Sequence, residues 1–425
     1  MNGTEIIDVV YGEGWDFGRG VVLGPIGAEA AAARDAAGEP YAVVLRQADS
    51  LGAIVAHVDW SHHYLGLWVS DLHGRRFMEV DLRRLTADRL YLTCRRGWAY
   101  PDEGSPEFAS DAGRVTIELW PDGRGTQIVE PQGDMGGSRH TTADVPEEQR
   151  WFPVPEFGRW KGLLAPLGSD QAPGCELREV VEVARTGEAC GPNWRAPRGM
   201  RPRHLNELFT PGARFSTDRQ EYTVWDPIPA GTLRLPSGRL VARDPTYGEC
   251  EQDAGFTVTV APGDYPVQLA SAGYTAEHEG RTLILDEYTA ARVLVSERPA
   301  VRWESALLPG QDERLLRDGQ FYGFGVDAGT GAFADASTAA DLGRRFWDGQ
   351  VSGVLTEDDH GIAVVGDAAT GTNLIAYPSG RGDGAYPVWI GRDADGEVAC
   401  FVADMLILNG AELLPTGAGE DRSTE

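Results

Sequence analysis

Short apolar runs alternate with turn residues along most of the chain, a pattern typical of antiparallel β-structure. An alanine-rich segment, 28–37, ends at Gly38 and predicts one early helix. Residues 131–150 are polar and glycine-rich without periodicity, and they predict a long exposed loop. Five strands of a meander are predicted in between, at 41–46, 53–59, 64–70, 76–81 and 89–95.

The second half continues the β pattern. Runs at 386–391 and 398–405 flank the Asp395-Gly396 step and predict a hairpin, whose second strand is apolar on both faces and therefore central in its sheet. Residues 236–238, Pro-Ser-Gly, predict another hairpin turn. One helix is predicted at 336–347, with Asp335 as its N-cap.

Length and linker composition indicate two domains. A chain of 425 residues exceeds what one core usually supports, and residues 187–203 are too dense in Gly, Pro and Arg for a regular element. We therefore expect a mainly β (β-rich α+β) protein with few short helices. Two antiparallel β domains, sandwich-like or open barrel-like, are predicted at 1–203 and 204–413, followed by a disordered tail at 414–425.

The charge narrows the possible partners. A net charge of −27 argues against non-specific nucleic-acid binding, because that binding needs cations to displace the counterions of phosphate. No run approaches the ~20 apolar residues of a membrane span, and no signal peptide is visible at the N-terminus. Five cysteines without a CxxC pair favour reduced thiols. We expect a cytoplasmic protein that contacts neither nucleic acid nor membrane and has no cofactor. The sequence does not determine its oligomeric state.

Five blocks carry a family resemblance. They are LPSGRLVARDP (235–245), FTVTVAPGDYPVQL (256–269), FGVDAGTGAFADA (324–336), PSGRGDGAYPVWIG (378–391) and VACFVADM (398–405). In order and spacing they resemble the bacterial family known as domain of unknown function 4241, over about 205–412. The resemblance implies a compact β-rich domain and brings no activity, while the N-terminal half resembles no family.

Candidate chemistry lies mostly in this second half. Asp244, Asp327, Asp383 and Asp404 sit at strand ends or in glycine loops, where they could converge as hydrolase carboxylates or serve as ordinary turn aspartates. No metal site is predicted there. In the first half, His57, His62, His63 and His73 are expected to be sheet histidines rather than metal ligands. The residues that could contact a bound partner are Gly329, Thr330, Gly382, Gly384, Tyr386 and Trp389.

Two functions remain open. The first is a non-catalytic binding protein whose acidic surface docks a basic protein, in a bacterial conflict or immunity setting. The second is a carboxylate- or metal-dependent hydrolase with its site at the glycine loops. The known nucleophile-elbow, zinc-helix and Walker patterns do not occur, and this lowers the expectation of catalysis.

Overall fold

A computed structural model describes residues 5–47, 50–168, 175–182 and 191–415. The chain divides into two compact units, Met1–Arg198 and Gly199–Glu425. Both are built mainly of strands in several antiparallel sheets, and one sheet is a half-barrel, so the predicted mainly β fold class is confirmed. Of the predicted tail, residues 416–425 lie outside the described residues, whereas the Leu414 amide donates to the Arg214 carbonyl at 2.8 Å.

The first unit is organised around one 11-stranded sheet, in the order β11-β10-β9-β8-β7-β6-β5-β4-β1-β13 with β12 beside β8. A separate two-stranded hairpin, β2-β3, accompanies it. The strands are β1 (Glu5–Gly12), β2 (Gly14–Asp16), β3 (Val21–Leu23), β4 (Tyr41–Arg46), β5 (Ala53–Asp59), β6 (Tyr64–Ser70), β7 (Arg76–Arg84), β8 (Arg89–Ala99), β9 (Gly113–Leu119), β10 (Gly125–Glu130), β11 (Ser138–Thr142), β12 (Trp151–Pro153) and β13 (Cys175–Glu179). The helices are α1 (Ala28–Ala37), α2 (Glu147–Arg150) and the 3₁₀ turns Trp60–His62, Gly133–Met135 and Trp160–Leu167.

The predicted meander is confirmed, because β4 to β11 pair in chain order and antiparallel. The pair β1-β13 is parallel, unlike the antiparallel pattern expected. The predicted long loop at 131–150 is wrong in part, since it contains β11 and α2. All five residues of β11 are exposed, so this edge strand is held by backbone pairing with β10 and carries no apolar alternation for the sequence to reveal.

The second unit contains a 10-stranded and a 4-stranded sheet. Their orders are β20-β25-β26-β19-β18-β15-β14-β27, with β16 beside β18 and β21 beside β25, and β17-β22-β24-β23. The strands are β14 (Arg214–Ser216), β15 (Glu221–Val224), β16 (Ile228–Leu235), β17 (Leu240–Arg243), β18 (Gly263–His278), β19 (Arg281–Leu294), β20 (Arg302–Ser305), β21 (Gly323–Val326), β22 (Thr330–Asp335), β23 (Ala363–Gly366), β24 (Asn373–Pro378), β25 (Gly384–Arg392), β26 (Val398–Asp404) and β27 (Glu412–Leu413). The helices are α3 (Ala339–Ser352) and the 3₁₀ turns Glu207–Phe209, Glu251–Ala254 and Glu313–Leu315.

Strand β26 lies in the middle of the larger sheet, as its two apolar faces predicted. It pairs with β25 on one side and β19 on the other, and Phe401 and Val402 are both buried in the core. The α3 helix packs on the 4-stranded sheet through Ala339, Leu342 and Phe346. The hairpin of β25 and β26 is therefore a structural centre of this unit.

Two local predictions in this unit are wrong. The turn at 236–238 does not join a hairpin, because β16 pairs with β18 whereas β17 pairs with β22 in another sheet. Asp335 does not cap α3, whose N-cap is Thr338. The fully buried Asp335 carboxylate instead accepts from the amides of Ser237 and Ser337, at 2.9 Å each, and from both hydroxyls. Its hydrogen bonds tie the 236–238 turn to the end of β22.

Candidate functional site

Two glycine loops of the second unit pack against each other. One is the turn between β21 and β22, and the other is the connection from β24 to β25. The Ser379 amide donates to the Gly329 carbonyl at 3.0 Å, and the Ser379 hydroxyl donates to the Gly382 carbonyl at 2.9 Å. Gly329 has a φ of 66°, and a Cβ there would lie 3.7 Å from the Gly382 Cα. We call residues 327–330 and 379–384 together the glycine-loop platform.

Asp244 anchors this platform from the end of β17. Its side chain is buried, and one oxygen accepts from the amides of Asp327 at 2.9 Å and Ala328 at 3.3 Å. The other oxygen accepts from the Thr246 amide at 2.7 Å and the Thr246 hydroxyl at 2.6 Å. These contacts use the acceptor capacity of a carboxylate. Asp244 therefore holds the loop in place.

Asp327 and Asp383 lie on the outside of the platform. Both are exposed, and neither forms an ion pair or a side-chain hydrogen bond within the described part of the chain. Desolvation raises the pKa of the Tyr247 phenol, and the carboxylates of Asp327, Asp244 and Asp383 raise it further. The charges of three of the four predicted aspartates therefore act on one tyrosine, which is itself 42% exposed.

Asp404 lies in a different environment at the end of β26. One carboxylate oxygen accepts from the Leu406 amide at 2.9 Å. Burial raises the pKa of Asp404 to about 6, and the Leu406 amide and the nearby Trp389 indole offset part of the rise. The indole nitrogen approaches without reaching a hydrogen-bonding geometry. Asp404 is thus a buried carboxylate of the sheet, while the exposed pair belongs to the platform.

The predicted contact residues fall into two groups. Gly384 is exposed, while Gly329, Thr330 and Gly382 are half-buried on the platform. The rings of Tyr386 and Trp389 are buried in the hydrophobic core. The Tyr386 hydroxyl donates to the Gly382 carbonyl at 2.6 Å. Tyr386 therefore supports the loop from beneath.

Arg381 extends from the same loop into a polar cavity of about 690 Å³. Its guanidinium pairs with Glu287 at 3.1 Å and donates to the Tyr222 hydroxyl at 3.3 Å. The Tyr222 hydroxyl in turn donates to Glu287 at 3.2 Å. Because the arginine and the glutamate neutralise each other, this cavity adds polarity beside the platform without a net charge from that pair.

The histidines of the first unit do not form a metal centre. His62 Nδ1 lies 2.8 Å from Asp59, whose carboxylate also accepts from the His62 amide and caps a 3₁₀ turn. Within the described ranges, no group of three or more His, Cys, Asp or Glu side chains could hold a metal ion. That finding covers the aspartates of the glycine-loop platform as well.

His57 instead belongs to an aromatic cavity of about 530 Å³ within the first unit. The guanidinium of Arg76 lies about 5 Å from the ring centroids of Phe17, Trp68 and Phe108 and pairs with Glu107 at 2.7 Å. Such cation–π contacts keep the arginine in place among the rings. We call this site the aromatic cavity, and its principal lining residues are Phe17, His57, Tyr64, Trp68, Arg76 and Trp194.

His57 is the unusual member of the cavity wall. Its imidazole is 5% exposed and stacks on Trp194 with ring centroids 4.4 Å apart and an interplanar angle of 3°. Burial, assisted by the charge of Arg76, lowers the pKa of His57 to about 3, so the ring is neutral at physiological pH. Its Nε2 atom has no hydrogen-bond partner among the described residues. A buried polar atom left unpaired costs about 1–3 kcal/mol and calls for an explanation.

Trp194 reaches the cavity from a segment without regular structure. Its indole N–H donates to the Glu13 carbonyl at 2.7 Å, and the neighbouring Asn193 amide donates to the Trp15 carbonyl at 2.9 Å. The sequence did not reveal this cavity, because Trp194 is 137 positions from His57. A usable signal was the alternation of Tyr64, Gly66 and Trp68, which places an aromatic row on one face of β6.

Comparison with known proteins places only the C-terminal part of the chain. Residues 233–403 match the family described as Protein of unknown function (DUF4241), and the predicted resemblance is confirmed over that segment. No family matches the N-terminal region. No curated protein and no solved structure matches the chain.

Proposed function

We propose that this protein, whose residues 233–403 match a family of unknown function, is a non-catalytic cytoplasmic binding protein that docks a basic protein partner. The observation that carries the proposal is the exposed pair Asp327 and Asp383 on the glycine-loop platform. Some of the acidic side chains at this unit's surface are paired with arginine, as Asp395 is with Arg298 and Glu221 is with Arg214. The platform carboxylates keep their charge available.

The geometry suits recognition of arginine or lysine. Asp244 fixes the backbone of the loop, so the exposed carboxylates are presented on a preorganised surface and little ordering is needed on binding. Tyr247, whose pKa is raised by the charges of both aspartates, supplies an exposed ring of the residue type enriched at interface hot spots. The overall charge of −27 steers a cationic partner toward the protein. No helix in the described ranges is long and apolar enough to cross a membrane.

The test is affinity capture from an extract of the source cell with the purified full chain as bait. The bait variant Asp327→Asn/Asp383→Asn removes the platform charge, and the control variant Asp226→Asn/Asp348→Asn removes two exposed charges elsewhere. We expect a basic protein that is retained at low salt, released as salt rises, and lost from the platform variant only. Equal capture by both variants, or a partner insensitive to salt, would contradict the proposal.

The hydrolase alternative is supported by the clustering of three carboxylates near Tyr247. Asp244 is unsuited to act as a base because its oxygens are occupied by four protein donors. Any catalysis would have to use Asp327 and Asp383. Turnover of a generic ester or phosphoester substrate that disappears in Asp327→Asn, but not in Asp226→Asn, would replace the binding function with this one.

A second candidate function is small-molecule binding in the aromatic cavity, favoured by the unpaired His57 Nε2. The cavity volume of about 530 Å³ lies within the usual range for small ligands. Among its charged lining residues, Arg76 pairs with Glu107, and Glu79 pairs with Arg96, which lies outside the lining. A planar, uncharged heterocycle therefore fits best, since it can stack on the rings and bond the imidazole edge. Trp194 covers His57, so binding includes a shift of its indole.

Adenine is a suitable probe, because it is planar, uncharged and carries donors and acceptors along its edge. His57→Phe keeps a ring against Trp194 while removing Nε2, and we expect adenine binding about tenfold weaker, the effect of one hydrogen bond. Trp194→Ala removes the covering ring and should strengthen binding. Calorimetric titration measures both. Absence of binding to the wild type and Trp194→Ala, or equal affinity of His57→Phe, would rule out this candidate.

A further inference from the structure

The outer half of the β18-β19 hairpin exposes an apolar strand. Residues 281–286, Arg-Thr-Leu-Ile-Leu-Asp, are all exposed although they are part of β19. Ile284 is 73% exposed, and Leu283 and Leu285 are 38% and 40% exposed. Three consecutive large apolar side chains at the surface of one strand are unusual for a protein with a net charge of −27. Together they form an exposed apolar patch on this strand.

One edge of the same strand is unpaired. Along its length β19 pairs with β18, from Val293 to Arg281. On the other side β26 covers only residues 290–294. Among the described strands, none pairs with residues 281–287 on that side. Their outward N–H and C=O groups form a template for another strand, and the segment contains no proline or lysine, two of the residues that commonly block such edges.

We propose that this edge pairs antiparallel with the same edge of a second copy of the chain. In a strand only every second residue directs its backbone groups to a given edge, so facing residues must be an even number of positions apart. A two-fold axis at Ile284 satisfies this condition. It places Ile284 opposite its copy, Leu283 opposite Leu285, and Arg281 opposite Glu287.

This register makes the segment self-complementary. Apolar side chains meet at its centre, as an isologous two-fold interface allows. Each end places Arg281 opposite Glu287, whose carboxylate also pairs with Arg381 and accepts from the Tyr222 hydroxyl within its own chain. An axis at Leu283 would instead place Arg281 opposite Leu285. Trp225, which is 42% exposed and packs over Gly273, adds apolar surface to the same hairpin. These features favour a second copy over an unrelated partner.

The long-range charge opposes this pairing. Two chains of −27 repel each other, and salt screens that repulsion. The dimer should therefore strengthen as salt rises, whereas binding of a basic partner at the glycine-loop platform should weaken. The two interactions are tested by different variants, because Asp327 and Asp383 are not part of the hairpin edge, although Arg381 of the platform pairs with Glu287. A short strand pair predicts a weak dimer, with a Kd between about 1 µM and 1 mM.

Sedimentation equilibrium of the full chain over a concentration series tests the dimer. Ile284→Lys places two cations on the axis and should weaken association at least tenfold. The matched control is Val364→Lys on β23, since Val364 is also an exposed apolar strand residue, at 54%. We expect the control to associate like the wild type. A wild type that is monomeric throughout the series, or an Ile284→Lys dimer of unchanged strength, would overturn the proposal.

Disulfide trapping tests the register. Directly facing strand residues have Cα atoms close enough for a disulfide. Ile284→Cys should therefore form a covalent dimer under mild oxidation, in excess of the background from the native cysteines measured on the wild type. Leu283→Cys alone should form little. The opposite order of yields would overturn the axis at Ile284, and no excess in either variant would overturn the edge pairing itself.

Discussion

Two buried polar side chains, one in each unit, differ in how far their hydrogen bonds are satisfied. In the second unit, Asp244 is 1% exposed and each of its carboxylate oxygens receives two donors. In the first unit, His57 is 5% exposed and its Nε2 has no partner within the described residues. The polarity of Asp244 is fully used by the fold. That of His57 is not, and this difference is why we propose a ligand-binding role for His57 but a structural role for Asp244.

The largest expected effect comes from removing the anchor of the glycine-loop platform. Asp244→Ala leaves the amides of Asp327 and Ala328 without their acceptor, and we expect a loss of about 3–5 kcal/mol in the free energy of unfolding. Urea denaturation measures it. Asp327→Ala is the matched control, because its carboxylate is exposed and unpaired, and its effect should stay within about 0.5 kcal/mol. Similar losses of unfolding free energy in both variants would show that Asp244 contributes no more to stability than the exposed Asp327, which would contradict its role as an anchor.

Asp404 of the second unit is also buried, but its carboxylate accepts fewer hydrogen bonds than that of Asp244. Its native pKa of about 6 lies above the ordinary 3.8, so ionisation in the native state costs stability that grows as pH rises from 3.8 through 6. Asp404→Asn keeps an acceptor for Leu406. It should raise the free energy of unfolding by up to about 3 kcal/mol at pH 7 and by little at pH 4. A variant destabilised at pH 7 would show a structural role for the charge.

His57 should give the opposite pH dependence. Its native pKa of about 3 lies below 6.5, so the unfolded state binds the proton first and stability falls as pH drops below 6.5. Between pH 7 and pH 5 the loss is about 2 kcal/mol from this residue. His57→Phe should lack that loss and should be at least as stable as the wild type at pH 7, since it removes an unpaired polar atom. Parallel pH profiles for the two proteins would contradict a buried neutral imidazole.

The sequence predicted those helices and strands that are determined by residues within or next to the element. The α1 helix ends at Gly38, whose φ of 77° suits glycine, and β26 is central because both of its faces are apolar. It did not predict β11, whose polar residues pair only through the backbone. Asp335 was misassigned because its hydrogen bonds include the distant Ser237, whereas capping signals are local.

In the candidate sites, too, the sequence predicted the features that nearby residues determine and missed those that depend on contacts between distant residues. The glycine spacing around Asp383 predicted a loop, but only the fold shows that it packs on Gly329 while Asp244 binds the turn at Asp327. The exposure of Asp327 and Asp383 likewise depends on tertiary structure. The stacking of Trp194 on His57 joins positions far apart in sequence, and no periodicity encodes such a contact.

We propose above all that the exposed carboxylates of the glycine-loop platform bind cationic side chains. The most direct measurement is the affinity of the purified chain for a labelled oligo-arginine peptide by fluorescence anisotropy, near 0.15 M salt, where the Debye length is about 8 Å. Asp327→Asn/Asp383→Asn should bind at least tenfold more weakly than the wild type, while Asp226→Asn/Asp348→Asn should change the affinity less than twofold. Equal losses in the two variants would show that the peptide responds to net charge alone and would contradict the claim.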